Sequence, residues 1–436
     1  MNKLSIVTKH LLSSMITKMS EDLTQFVKNP GKDFTRKRKL GFSDIMKSLI
    51  SMGGTCLRKE LRLLTDYDLN TPTVSAFVQQ RDKILPYAFE YLLRKFTGSC
   101  QRLKTFNGYR LFADDGTDLQ LVTDRCDATT YFDNTNGKAG YNLLHINALY
   151  DLLNKLFVDV DIQPRKQINE NAAMIKMISR LDVGTKAIFI ADRNFESYNN
   201  FAHIENKGWN YLIRVKDGGK AGIASGLDLP TDGEFDICVR RTLVRSRAKV
   251  FTSRPDIYKC LSGTSPFDFL DSDNKFYDME LRVVRVRIAE DTYETLITNL
   301  GQSDFPMDVL KQLYHLRWGV ETAFRHLKHT VGLSGLHSKK RDFVIQEIFA
   351  RVIMYNFAEI ITMGVITQQK DTKYIYQVNF SAAIDICRRF LRLLNNSPPL
   401  DVEALILKET LPIRPGRSFY RRTHRKSAVS FNYRIA

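Results

Sequence analysis

Residues 109–116 read YRLFADDG, a mostly apolar run that stops on two aspartates and a glycine. That is the pattern of a buried strand running into a turn, with carboxylates left at its open end. The chain downstream keeps the theme. LLHINALYDLLN (143–154) and LFVDVDIQP (156–164) are further strand candidates, and ENAAMIKMISRL (170–181) has a helical apolar period. KAIFIADRNF (186–195) is again an apolar strand that stops on an aspartate. The order is strand, strand, strand, helix, strand. Short early connections suit an antiparallel meander, and the helix supplies the crossover to a parallel strand.

Carboxylates at the ends of buried strands are costly unless they face a cation or an opening. Asp115 ends the first strand and Asp192 the fourth, and an open sheet can bring such ends side by side. Neighbouring strand residues face opposite ways, so only one of Asp114 and Asp115 can point into a shared site. A third acid is offered by YHLRWGVETAFRHLK (314–328), which reads as one helix. On a wheel, Tyr314, Arg317, Glu321 and Lys328 fall within an arc of roughly 60°. Leu313, Leu316, Val320, Ala323, Phe324, Leu327 and Val331 form an apolar stripe beside them. Asp115, Asp192 and Glu321 would make an oxygen-ligand cluster suited to Mg2+, with room for two ions and with Mn2+ as the substitute. On helix statistics alone, the four polar residues are ordinary surface decoration; the two aspartates are what give them weight.

Composition narrows the partners. The chain has 436 residues, 43% of them hydrophobic, enough for two or three domains with a substantial core. A net charge of +17 favours a polyanion over an acidic small molecule. KDFTRKRKL (32–40) is a short basic run, and Arg414 to Ala436 holds seven Arg or Lys and no acid; both suit phosphate contact. Six scattered cysteines with no C-x-x-C pair argue against zinc ribbons and for a reducing compartment. His326 and His329, an i,i+3 pair, read as surface histidines. The opening segment lacks a clean apolar signal, and residues 349–366 are too polar to span a bilayer, so no membrane partner is expected.

The boundaries follow the change of period. Residues 1–105 read as a helical, DNA-binding region; 106–206 as the first part of an α/β core. WNYLIRVK, GEFDICVRRTLV, ELRVVRVRI and YETLITNL make 207–303 strand-rich. Residues 304–360 carry the signature helix, and 361–436 are helical with the basic tail.

The combination resembles the DDE transposases of bacterial insertion sequences, specifically insertion-sequence family four. That family's signature, Y-x2-R-x3-E-x6-K, is matched at every spacing by Tyr314, Arg317, Glu321 and Lys328. Its D-G-T-like stretch is matched by Asp115 in DDGTDL, and its D-R-x-[FY]-like stretch by Asp192 in ADRNF. The resemblance covers roughly 107–360. It implies a ribonuclease-H-like catalytic core interrupted by an all-β insertion, with helical N- and C-terminal regions. It further implies metal-dependent cleavage and strand transfer at terminal inverted repeats of double-stranded DNA, by a homodimer in a synaptic complex. Asp115, Asp192 and Glu321 would be both catalytic residues and metal ligands; Tyr314, Arg317, Lys328 and Trp318 would contact DNA. Relatives hold a flipped base with a tryptophan, and Trp318 is the choice over Trp209. A bacterial cytoplasmic, nucleoid-associated protein is implied. The rivals are a ribonuclease-H-like nuclease without strand transfer and a catalytically silent transposon-derived DNA-binding protein.

Overall fold

The computed structural model describes residues 3–36, 38–100, 103–133, 139–182, 184–217, 222–365, 374–393 and 397–414. Lys37 of the basic run and the tail beyond Arg414 lie outside the described residues.

Five helices come first: α1 (Leu4–Glu21), α2 (Phe42–Ser51), α3 (Leu57–Leu64), α4 (Val74–Arg81) and α5 (Tyr87–Gly98). The stretch 73–96 has one helical period but forms two helices, because Pro86 removes a backbone donor and its ring disfavours a helical residue before it. Thr73 caps α4 by accepting from the Ala76 N–H at 3.2 Å.

The sheet begins with β1 (Tyr109–Leu121), β2 (Tyr131–Phe132), β3 (Tyr141–Asp151) and β4 (Leu156–Pro164). Then follow α6 (Glu170–Arg180), β5 (Lys186–Ala191), α7 (Tyr198–Asn206) and β6 (Asn210–Val215). β1 pairs antiparallel with β3, and β3 with β4; β5 returns parallel to β1, and β6 parallel to β5. The meander and its crossover are thus as the periodicity predicts. β7 (Phe235–Val244), the short α8 (Lys249–Thr252), β8 (Tyr258–Cys260), β9 (Tyr277–Ala289) and β10 (Thr292–Thr298) extend the same sheet. β10 hydrogen-bonds antiparallel to β6, so the order is β2-β3-β1-β5-β6-β10-β9-β7-β8, with β4 also on β3.

Next come α9 (Met307–Leu316), α10 (Trp318–Arg325) and a π-helical turn (His326–Thr330). The chain goes on through α11 (Arg341–Met363), β11 (Tyr376–Val378), α12 (Phe380–Arg392), α13 (Val402–Lys408) and β12 (Thr410–Pro412). The molecule is therefore mixed α/β, with one large mixed sheet and many helices. Among the described residues, no helix is long and apolar enough to cross a membrane.

The two sheet faces are covered differently, and that difference positions the acids. Phe112, Phe189, Tyr211 and Ile213 pack with residues of α6 and α7. Leu111, Ile188, Ile190 and Leu212 pack on the other face with Leu310, Leu313 and Tyr314 of α9. Ala113 and Leu119 of β1 join Val320 and Phe324 of α10 and the apolar faces of α1, α2, α5, α11 and α12 in one core. Helices from both ends of the chain therefore share a layer.

Candidate active site

The register between β1 and β5 pairs Ala113 with Ile190. Two residues further along stand Asp115 and Asp192, so the two carboxylates lie at one level of the sheet. Asp192 follows the end of β5 as expected, but Asp115 does not end its strand: β1 runs on to Leu121, and Asp115 is paired with Ala148 of β3 where a turn was expected. Asp115 Oδ1 accepts from the Gly116 N–H at 2.8 Å. Asp192 follows β5 and caps a short 3-10 turn, accepting from the Asn194 N–H at 2.9 Å. Glu321 comes from α10, which packs on β1. Burial pushes the Asp115 carboxyl up to about 6; the Gly116 N–H and Arg317 oppose this, and the charges of Glu321 and Asp192 add to it. These mutual effects bring the three acids into one electrostatic neighbourhood.

Arg317 stands among them. Its Nη2 lies 3.3 Å from Glu321 Oε1. Burial alone would lower its pKa, but Tyr314, Asp115, Glu321 and Asp192 outweigh that and hold the guanidinium above its ordinary value. The guanidinium also sits 4.8 Å from the centroid of the Trp318 ring and 5.9 Å from that of Tyr314. Among the described residues, buried Arg317 Nε and Tyr314 Oη find no hydrogen-bond partner.

Asp114 is turned the other way. It is 2% exposed, both its carboxylate oxygens lack a partner among the described residues, and its charged neighbours are Glu170, Asp161 and Asp159 besides Asp115 itself. Burial, reinforced by those acids, raises its pKa well above the carboxylate range. Further along β1, Asp118 accepts from His145 of β3 at 2.8 Å, and His145 lies 2.9 Å from Glu170. Gly116 is packed so closely on that ring that a Cβ there would meet His145 Nε2 at 2.2 Å. A residue with any side chain at 116 would have to push the His145 ring, and Glu170 behind it, out of place.

A family model for the transposase DDE domain matches residues 107–357. The chain belongs to the DDE transposases. Members of this family cleave and transfer DNA strands, and their domains generally use divalent metal ions. One solved structure, a cryo-EM structure of a piggyBac transposase synaptic complex with hairpin DNA, is similar at 13% identity. The similarity covers 95% of this chain and 87% of that one, with a TM-score of 0.44. No curated protein matches the sequence.

Asp115, Asp192 and Glu321 offer only oxygen donors, partly buried and mutually repelling, a chemistry that suits a hard dication. Its closure is another matter. Among the described residues, no group of three or more His, Cys, Asp or Glu is drawn tightly enough to hold a metal ion. The positive charge beside Glu321 here is Arg317.

Several expectations for the signature helix need correction. It is interrupted at Arg317, between α9 and α10, and ends in the π turn, where Val331 N bonds to His326 O at 2.9 Å. A wheel drawn at a constant angle therefore fails beyond residue 325. Lys328 lies on that turn, and its Nζ donates to the Asp118 carbonyl of β1 at 2.8 Å. Tyr314 and Arg317, each 4% exposed, are buried instead of lining an open polar edge. Leu316, expected in the apolar stripe, is exposed. His326 is half-buried and stacks on Phe380 at 5.0 Å. Trp318 is exposed on the site's rim, whereas Trp209 is buried and stacked on Phe112.

Arg214 was missed. β5 and β6 pair Ala191 with Ile213, so Arg214 follows Asp192 at the same level on the third parallel strand. It is paired with Glu294 at 3.0 Å and its charge reaches Tyr314. The available signal was its position in WNYLIRVK, after the apolar run, where the other two strands carry aspartates.

Proposed function

We propose that this protein is a metal-dependent DNA transposase of an insertion sequence, of family four, acting at the terminal inverted repeats of its element. The observation that carries the reading is the electrostatic coupling of Asp115, Asp192 and Glu321, from the middle of β1, the end of the parallel β5 and one helix, around Arg317. The three carboxylates are the proposed ligands of two Mg2+ ions, with Mn2+ as substitute. Ions bound there would polarise the scissile phosphate and generate the attacking hydroxide near neutral pH. Arg317 would exchange Glu321 for a phosphate oxygen, and a guanidinium presents the fork of donors that such an oxyanion accepts. Tyr314 adds a hydroxyl beside it. Trp318 offers a ring face on the rim for an unstacked base. Lys328, anchored to β1, holds positive charge beside the strand.

The order β4-β3-β1-β5-β6, antiparallel then parallel, supports a ribonuclease-H-like core. On that reading the β insertion comprises β7–β10 and continues the core sheet through β10, and β6 belongs to the core. The partners are duplex DNA at element ends and target, and a second copy in a synaptic complex. A bacterial cytoplasmic, nucleoid-associated setting goes with this reading.

Cleavage of labelled element ends with Mg2+ tests it. Asp115→Asn, Asp192→Asn and Glu321→Gln should each abolish nicking while DNA binding stays near wild type, because affinity rests mainly on phosphate contacts. Asp114→Asn should keep most activity, since Asp114 lies on the face of β1 opposite Asp192 and Glu321. Near-normal nicking by any of the first three would remove that residue from the site. Nicking without joined products in a strand-transfer assay would favour the nuclease reading instead.

A further inference from the structure

Past Ala113, β1 outruns its pairing with β5 and is held in the sheet by β3 alone, and this is the stretch that carries Asp115. From the side of the signature helix, Lys328 binds the Asp118 carbonyl. From the side covered by α6 comes His145, which stands directly across from Asp118 in the β1–β3 register. It is 4% exposed, and both its ring nitrogens face carboxylates. Nδ1 lies 2.8 Å from Asp118 Oδ1, and Nε2 lies 2.9 Å from Oε1 of Glu170, the first residue of α6. Arg165, in the turn after β4, adds a second cation to Asp118 Oδ1 at 2.9 Å. Only the imidazolium carries an N–H on each nitrogen. Burial would lower the pKa of the ring, but its bonds to Asp118 and Glu170 outweigh that and raise it, and the bond to His145 in turn lowers that of Glu170.

We infer that His145 is a positioning residue for Asp115: its ring, clamped between Asp118 and Glu170, is the seat on which Gly116 rests, and Gly116 in turn orients the Asp115 carboxylate. The inference rests on the reading of Asp115 as a metal ligand and deepens it, naming the group that aims that ligand. Two contacts make the chain continuous. On one side, a Cβ at Gly116 would meet His145 Nε2 at 2.2 Å, Cε1 at 2.7 Å and Glu170 Oε1 at 3.0 Å, so the bare backbone lies against the ring. On the other, the Gly116 N–H donates to Asp115 Oδ1 at 2.8 Å. Gly116 lies within β1 and is not among the glycines of positive φ, so what glycine supplies there is close approach and not a turn. A ring bonded at both nitrogens cannot swing away from that backbone, which is how an outer partner fixes the direction of a metal-binding carboxylate.

The test is a calorimetric titration of the full chain with Mn2+, without DNA, followed by nicking of labelled element ends over a range of Mg2+ concentrations. His145→Ala should weaken Mn2+ binding about 10-fold, as loss of an outer-shell partner does. The Mg2+ concentration for half-maximal nicking should rise by a similar factor, while DNA affinity stays unchanged. A merely structural role would lower the melting temperature and the folded fraction but leave both half-saturation points where they are. Gly116→Ala, which drives a methyl group into the ring, should weaken Mn2+ binding as well. Combining it with His145→Ala should be no worse than the single changes, because both act through one contact. His203→Gln removes another His–carboxylate pair, with Asp268, and should leave both half-saturation points unchanged. If His145→Ala does not fold, Glu170→Ala decides in its place, with the same loss expected. Wild-type Mn2+ affinity in the folded His145→Ala or Glu170→Ala protein overturns the role of His145 and leaves the metal site standing, as do additive losses in the double variant. Failure of the wild-type protein to bind Mn2+ overturns the metal site and this role with it.

Discussion

Arg317 shows what a helix wheel leaves out. Spacing alone makes it one cation on a polar edge, where i,i+4 pairing contributes only about 0.3–0.5 kcal/mol and its loss would hardly move the melting temperature. In the fold it is 4% exposed, 3.3 Å from Glu321 and beneath the exposed ring of Trp318. It is also the counter-charge that opposes the rise in the Asp115 carboxyl pKa. Truncating it leaves a void and three acids facing one another. Arg317→Ala should therefore lower stability by about 1–3 kcal/mol, the range for removing a buried hydrogen-bonding partner. It should also lower cleavage by a factor of about 100 or more, as loss of a positioned charge at a reacting phosphate does. Arg325, exposed on the same helix, is the control, and Arg325→Ala should change neither. Thermal melts and nicking rates on the two variants check both halves. A wild-type melting temperature for Arg317→Ala would mean that the buried guanidinium contributes nothing to the fold, and equal activity losses would mean that the face is wrongly drawn.

At the scale of elements, the sheet's meander, its crossover and Asp192 at the end of β5 were legible because each signal is local, whereas the run of β1 past Asp115 to Leu121 was not, because it depends on pairing with β3. An apolar run names a buried strand, and an aspartate that ends one is visible without its partners. What was not legible depends on pairing between distant segments or on a change of helical pitch. The level of Arg214 beside Asp192 follows from the β5–β6 register, which tertiary packing sets. The π turn at His326–Thr330 leaves the apolar spacing intact, so periodicity reads straight through it. There the wide turn is closed by Leu333 N to Leu327 O and Ser334 N to Lys328 O, both at 3.1 Å, and Lys328 pins it to β1. That pin connects the helix bearing Glu321 to the strand bearing Asp115. Lys328→Met keeps the apolar stem and removes the donor, which should cost roughly 0.5–1.5 kcal/mol. The amides from 326 to 334 should then exchange faster with deuterium, while those of α6, on the other face of the sheet, stay unchanged. Unaltered protection across the turn would show that Lys328 does not anchor it.

Over the whole molecule, both ends of the chain are joined through α11. Arg81 of α4 donates to Gln346 at 2.8 Å and pairs with Glu347 at 3.0 Å, and Glu347 also accepts from the His337 N–H at 2.8 Å. Arg351 reaches back to the carbonyls of Met52 and Gly53. Burial would raise the Glu347 carboxyl, but Arg81, His337 and Arg351 overcome it and hold it at about 2. Three turns along the same helix, Glu359 has no such set. Its neighbours are Tyr150 and Tyr355, themselves hydrogen-bonded at 3.0 Å, Thr362 at 3.3 Å, and Lys155, whose charge only partly offsets burial. Burial therefore pushes Glu359 up to about 7. Between its ordinary value and about 7 the folded chain keeps a proton that the unfolded chain releases. Stability from this group is then complete at acid pH, falls as pH rises through that window, and is absent above it. A shift of this size corresponds to at most about 3 kcal/mol. Glu359→Gln cannot charge, so its melting temperature relative to wild type should rise from pH 5 to pH 8. Parallel stability curves for the two proteins across that range would show that Glu359 is already ionised in the fold, with a cation closer than Lys155 stands.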